Sequence, residues 1–233
     1  MDKLTITLDD VPDEQLTLPE VFIIECLSLK DWRDGKRDGF DLYMQLLLSG
    51  RRPRYVQAMC ENDLKAALIM FRQSKCRFLH FSFHGSLDSI SLGDGLCNYA
   101  SFADAIRGFL NSRRVFISAC ECGNHELFRR IYKTNPVTHS ILAHSDKVAF
   151  DKAVAFWIAF YYTLYQRIMK SATSMDAVEI SKPLTTKNIT DIAGRLSLVV
   201  NANLCCCYFD AKNQKVVMKR LEKNNDCFRW VLM

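Results

Sequence analysis

Apolar runs of strand length alternate with segments of helical spacing along most of this 233-residue chain, and that alternation restricts the fold more than any other feature. Val21–Leu29 (VFIIECLSL) reads as a first strand, Tyr55–Cys60 as a second, Arg77–Phe83 as a third, Arg114–Ala119 as a fourth and Ser140–Ala143 as a fifth. Between the first two, Phe40, Tyr43, Leu46 and Leu47 recur at helical spacing and Gly50 ends the helix. Leu64, Leu68 and Phe71 follow a cap expected at Asn62 or Asp63; Phe102, Ile106, Phe109 and Leu110 follow one expected at Ser101. Asn124 to Tyr132 reads as a further helix stopped by Pro136, and Asp151 to about Met169 as the longest one.

Strands alternating with helices imply a mostly parallel sheet covered on both faces. Ser89–Leu96 (SISLGDGL) interrupts the alternation as a small hairpin with an Asp94-Gly95 turn. Residues 171–194 are polar and read as a loop with a short helix. Leu196–Tyr208 reads as a sixth strand interrupted at Asn201 or Asn203, with Lys215–Lys219 returning beside it. The expectation is a single three-layer α/β domain over residues 1–233, with a central, mostly parallel sheet of about six strands. Its core falls at about residues 20–170, and 171–233 forms the C-terminal part of the same domain.

Hydrophobic residues make up 49% and charged residues 24%, the balance of a globular protein able to bury a sizeable core. The net charge of +5 is dispersed, with only Arg51, Arg52 and Arg54 clustered, so the basic stripe that nucleic-acid binding needs is missing. The beginning, MDKLTITLDDVPDEQ, is acidic and lacks an apolar signal region, and Ala153 to Leu164 is too short to span a bilayer. These features predict a cytoplasmic protein without membrane contact, whose ten cysteines are reduced thiols. Cys120 and Cys122 have no second cysteine pair at zinc-finger spacing, and no phosphate or dinucleotide glycine pattern occurs, so neither metal nor cofactor is expected.

The chemistry-bearing residues stand at two strand ends. The third strand ends at His84-Gly85 and the fourth at Ala119-Cys120. Ligands of open parallel sheets bind beyond the carboxyl ends of the strands, and consecutive elements are usually neighbours. An imidazole and a thiol at such ends can act as base and nucleophile. Gly85, lacking a Cβ, lets the backbone approach a substrate carbonyl, and its N–H with that of Cys120 can form an oxyanion hole. A structural reading stands beside this one: a histidine in an apolar strand commonly fills the core, as His80 is expected to, and a buried cysteine is commonly inert.

At these residues the sequence resembles the caspase-like (clan CD) cysteine peptidases. FSFHGS and FISACECG supply the His-Gly and Ala-Cys strand ends. SISLGDGL and SILAHSDKVAFDKAVAFWIAFYYTLY resemble the hairpin and the strand, loop and long aromatic helix of bacterial CHAT-type members. The resemblance covers roughly residues 20–170. It implies an endopeptidase with Cys120 as nucleophile, His84 as general base and the Gly85 and Cys120 amides holding the oxyanion. It places Ser118 in the pocket for the substrate side chain before the cut. Ser118 is small and neutral, so a basic preference needs an acid elsewhere, and Asp146 and Asp151 are the candidates; the stronger reading of Asp151 is as the cap of the long helix. An acidic preference would rest on Lys147. The resemblance further implies a protein or peptide substrate, a separate activator or regulatory protein, and a role in bacterial regulated cell death or anti-phage defence. The alternatives are a catalytically inactive caspase-like module that binds partners, and an α/β signalling domain in which the two strand ends are coincidental.

Overall fold

The computed structural model describes residues 17–170, 184–210, 212–224 and 227–233. Its strands are β1 (Leu18–Cys26), β2 (Arg54–Gln57), β3 (Cys76–Phe83), β4 (Ser89–Leu92), β5 (Gly95–Asn98), β6 (Arg114–Ser118), β7 (Ser140–His144), β8 (Leu204–Asp210), β9 (Lys215–Asn224) and β10 (Cys227–Leu232). The helices are α1 (Leu29–Arg33), α2 (Asp38–Leu48), α3 (Glu61–Ser74), α4 (Tyr99–Ala105), α5 (His125–Thr134), α6 (Phe150–Lys170) and α7 (Thr186–Val200). One sheet of eight strands runs in the order β10-β9-β8-β7-β6-β3-β1-β2, with β4 and β5 as a separate hairpin. The five strands from β2 to β7 in that order pair in parallel, and β8, β9 and β10 add an antiparallel meander.

Period-2 alternation sorts each parallel strand onto two cores. Phe22, Ile24, Leu79, Phe81, Val115, Ile117 and Ile141 face α3, α4 and α5. Val21, Ile23, Phe78, Phe116 and Leu142 face α2, α6 and α7. Trp157, Phe156, Phe160 and Tyr161 of α6 are fully buried against the second face, and each such side chain contributes about 1.5–3 kcal/mol of transfer free energy. The three layers are those read from the sequence. Among the described residues no helix is long and apolar enough to cross a membrane.

Eight strands stand where about six were expected, and the difference lies in the C-terminal part. Leu196–Val200 belongs to α7 and not to a sixth strand: Ile189, Ile192, Ala193 and Leu196 recur at helical spacing and pack on the second core. Thr185 caps that helix by accepting from the Asn188 N–H, and Asn201, left-handed at φ 55°, ends it. The strand then begins at Leu204, and Lys215–Lys219 is the start of a ten-residue strand. The short run LSLVV has no periodicity of its own to separate strand from helix. Residues 171–183 lie outside the described residues.

Local corrections have the same character. The cap of α4 is Asn98, whose side chain accepts from the Ser101 N–H, rather than Ser101 itself. The cap of α3 is Cys60; Asp63 instead accepts from the Met59 N–H at 3.0 Å. Leu92 pairs with Gly95, so the hairpin loop is Gly93-Asp94, with Gly93 at φ +62°. Asn124, read as the first residue of its helix, is the cap of α5, its side chain accepting from the Leu127 N–H.

Candidate active site

Three strands end in one polar row. Glu25 of β1 pairs with Ser82 of β3, and Ser82 with Ser118 of β6. All three are buried. Beyond this row the chain continues to His84 on one strand and Cys120 on the other. Both residues line the same cleft of about 330 Å³, together with Leu27, Asp38, Ser118 and Phe150.

The His84 side chain is half exposed, and its Nε2 lies 2.9 Å from Asp31 Oδ2. Asp31 belongs to the five-residue α1, which follows β1 directly. Ser28 caps that helix: its Oγ accepts from the Asp31 N–H at 3.1 Å and donates to Asp31 Oδ2 at 2.5 Å. Burial raises the Asp31 carboxyl, but the Ser28 hydroxyl and then His84 outweigh it and hold the carboxyl below its ordinary value. With Nε2 engaged by Asp31, Nδ1 is the ring nitrogen left for the cleft. Asp31 is a residue the sequence reading missed, because it lies between the first strand and the Phe40 helix, where no element was expected. The Ser-x-x-acid spacing of a capping box was its one signal.

Cys120 sits on a sharp turn. Glu121 is left-handed at φ 59°, its N–H bonds to the Asp146 carbonyl, and the Gly123 N–H bonds to the His144 carbonyl at 2.6 Å. Asn124 closes the turn by donating to the Glu121 carbonyl at 2.7 Å. The thiol is engaged by the main chain of Val148, which donates to Sγ at 3.4 Å and accepts from it at 3.6 Å. Gly85 pairs with Ile90 through its neighbours, using the His84 carbonyl and the Ser86 N–H. No backbone hydrogen bond among the described residues takes up the N–H of Gly85 or of Cys120. A Cβ on Gly85 would strike Cys122 Sγ and lie 2.6 Å from the Cys120 carbonyl oxygen. The glycine therefore lets the histidine loop close onto the cysteine turn, a more immediate need than room for a substrate.

The floor of the cleft is acidic. Asp38, the first residue of α2, is buried and accepts from the Ser118 hydroxyl at 2.5 Å and from the Ser82 hydroxyl. Glu25 lies behind it, accepting from the Gly39 N–H at 2.7 Å and from the Tyr55 hydroxyl at 2.6 Å. Burial drives both carboxyls up, Glu25 to about 7 against the pull of Tyr55 and with a further push from Asp38. The signal for this acid was present: Glu25, Ser82 and Ser118 are polar residues at one register near the ends of largely apolar strands.

Asp146 and Asp151, the acids expected to set a basic preference, are not among the residues lining this cleft. Asp146 bonds to Ser145 and Asn203 and faces a second, polar cleft with Arg220 and Lys223. Asp151 is exposed in the first turn of α6, one residue inside its start, and accepts from the Lys152 N–H. His80 is a core residue as expected, 3.3 Å from the Tyr161 hydroxyl and edge-on to Trp157, and burial holds it neutral with its pKa lowered to about 3. His144 packs against the same Trp157 and is lowered to about 4. Among the described residues no group of three or more His, Cys, Asp or Glu side chains is placed to hold a metal ion.

No family model matches the sequence, and no curated protein is similar to it. Among solved structures, the chain is similar to a secreted C11 cysteine protease from Bacteroides thetaiotaomicron in complex with an irreversible peptide inhibitor. Identity is 9% and the TM-score 0.49, over 84% of this chain and 67% of that one. A second structure of a secreted C11 cysteine protease from that organism, iotapain, gives 10% identity and a TM-score of 0.49, over 82% of this chain and 66% of that one. The chain thus spans about two thirds of the length of the structures it resembles.

Proposed function

We propose that this chain is a cysteine endopeptidase of the caspase-like kind. The observation that carries the reading is a cysteine and a histidine lining one cleft at the ends of adjacent parallel strands, with Asp31 on the far nitrogen of the imidazole. Asp31 fixes the orientation of the ring through Nε2. His84 Nδ1 takes the thiol proton, and Cys120 Sγ attacks the peptide carbonyl. The Gly85 and Cys120 N–H groups receive the developing oxyanion, each worth roughly 10²–10³ in rate. The imidazolium then protonates the departing amine. Water, deprotonated by His84, hydrolyses the thioester and regenerates the thiol.

The residue before the cut enters between Ser118 and Phe150, above Asp38. A buried carboxyl at the base of a narrow cleft suits a lysine or arginine side chain. Asp38 takes the part that Asp146 and Asp151 were expected to play. The substrate is a protein or peptide, and a separate regulatory protein in bacterial cell death or anti-phage defence is the setting the resemblance implies. The acid on the imidazole favours the enzyme over an inactive binding module.

The test is digestion of a peptide library by wild type and Cys120→Ala, with cleavage sites read by mass spectrometry. Cuts after Lys or Arg that vanish in the variant support the proposal. Products identical in the two proteins, or none in either, overturn it.

A further inference from the structure

The cleft floor holds two carboxyls where one would suffice to meet a cation. Glu25 does not line the cleft; it stands behind Asp38, and the Ser82 hydroxyl lies between them, 3.4 Å from Glu25 Oε1 and in contact with Asp38 Oδ1. A hydroxyl has one proton to give, so it satisfies one carboxylate fully and not both. The groups facing the pair are Lys36 and Arg37 from the segment before α2, His84 after β3 and Tyr55 of β2. Lys36 is exposed, His84 belongs to Asp31, and Arg37 stacks on Trp32 and Phe40 at 4.9 and 5.0 Å. Among the described residues no cation is bonded directly to either acid, and two adjacent buried carboxylates without one resist full ionisation.

Resting on the peptidase reading above, we propose that Glu25 is a positioning residue for the specificity pocket: it and Asp38 share one proton through Ser82, and Glu25 retains that proton when a cationic side chain meets Asp38. The bond that breaks is O–H on the Asp38 side, and the one that forms is O–H on Glu25, with Ser82 giving its hydroxyl proton to Glu25 as it takes the one from Asp38, so the pair keeps a single negative charge and places it under the substrate. Once the pH is high enough for Glu25 to lose the proton as well, the pocket carries two charges and its preference for a cation sharpens.

Glu25→Gln fixes the state in which that side chain is neutral, and its amide oxygen still accepts from Gly39. The ratio of kcat/KM for a peptide ending in arginine over one ending in citrulline, its neutral isostere, is measured from about pH 5.5 to 8.5 in wild type, E25Q and D38N. In wild type the ratio rises roughly tenfold through about pH 7, one unit of differential interaction. In E25Q it stays flat at the low-pH value of wild type, and in D38N it collapses at every pH. A rise of equal size in wild type and E25Q overturns the role of Glu25. A ratio near one in wild type that D38N leaves unchanged overturns the specificity reading instead. Thermal unfolding tests the proton without turnover: the midpoint of E25Q gains on that of wild type as pH rises from about 4.5 to 8. A difference that does not vary with pH refutes the shared proton even if no substrate is found.

Discussion

Gly85→Ala is the sharpest perturbation of the site. The added methyl would overlap Cys122 Sγ, stand 2.6 Å from the Cys120 carbonyl oxygen and 3.1 Å from Ala119 Cβ. None of these atoms is the end of a flexible side chain. Cys122 is fully buried beneath Tyr99, whose hydroxyl lies 3.8 Å from its sulfur. Gly85 is not among the positive-φ positions, so alanine meets no backbone penalty and the whole cost is steric. Overpacking of this kind costs about 1–3 kcal/mol. The relief available is to push the His84 loop away from the Cys120 turn, and a displacement of about 1 Å at reacting groups costs on the order of 10²-fold in rate. Removing the sulfur should return part of the stability, so G85A/C122A should be more stable than the sum of the single changes by about 1 kcal/mol. Urea unfolding measures the stabilities, and alkylation of Cys120 by a peptide electrophile reports the site without a known substrate. Wild-type stability and alkylation in G85A would refute the claim that this glycine exists to let the two loops close.

Asp31→Asn keeps the shape of the capping box but removes the negative charge on the imidazole. Turnover should fall by about 10²-fold or more while unfolding shifts by less than about 1 kcal/mol, and a variant with full turnover would remove Asp31 from the mechanism. Glu25 opposes folding as it ionises. Its folded pKa is above its unfolded one, so the stability it contributes is whole below about 4.5 and is lost by about 7, a difference on the order of 3 kcal/mol that E25Q should abolish. His80 and His144 act on the acid side: held neutral when folded, they cost stability as pH falls below about 6.5. Unfolding titrations should show a loss of several kcal/mol by about pH 4, reduced in His80→Phe. Gly194→Ala in α7 should destabilise despite better helix propensity, because its methyl would overlap the Phe228 ring; a higher midpoint would contradict that contact.

The parallel half of the sheet was legible because its strands are apolar on both faces and its helices carry their own period. The cleft followed from it, since His84 and Cys120 mark two adjacent strand ends. What stayed hidden depends on contacts distant in sequence. Asp31 meets His84 across 53 positions and Asp38 meets Ser118 across 80, and no local pattern announces either pair. Asp146 and Asp151 were preferred because they follow the fifth strand, yet Asp146 is turned toward Asn203 and Asp151 stands exposed in the first turn of α6. The segment at 196–200 was misread for a different reason: four of its five residues are apolar, and only the preceding turns of α7 disclose the period.

The grip of the Val148 main chain on the resting sulfur has a mechanical consequence. On the proposed peptidase reading, a peptide that reaches Cys120 first evicts a neighbour that serves the thiol as donor and acceptor at once. Entry is therefore a swap of partners rather than the filling of an open seat. The stiffness of the stretch between His144 and Phe150 then governs how fast an encounter becomes a commitment.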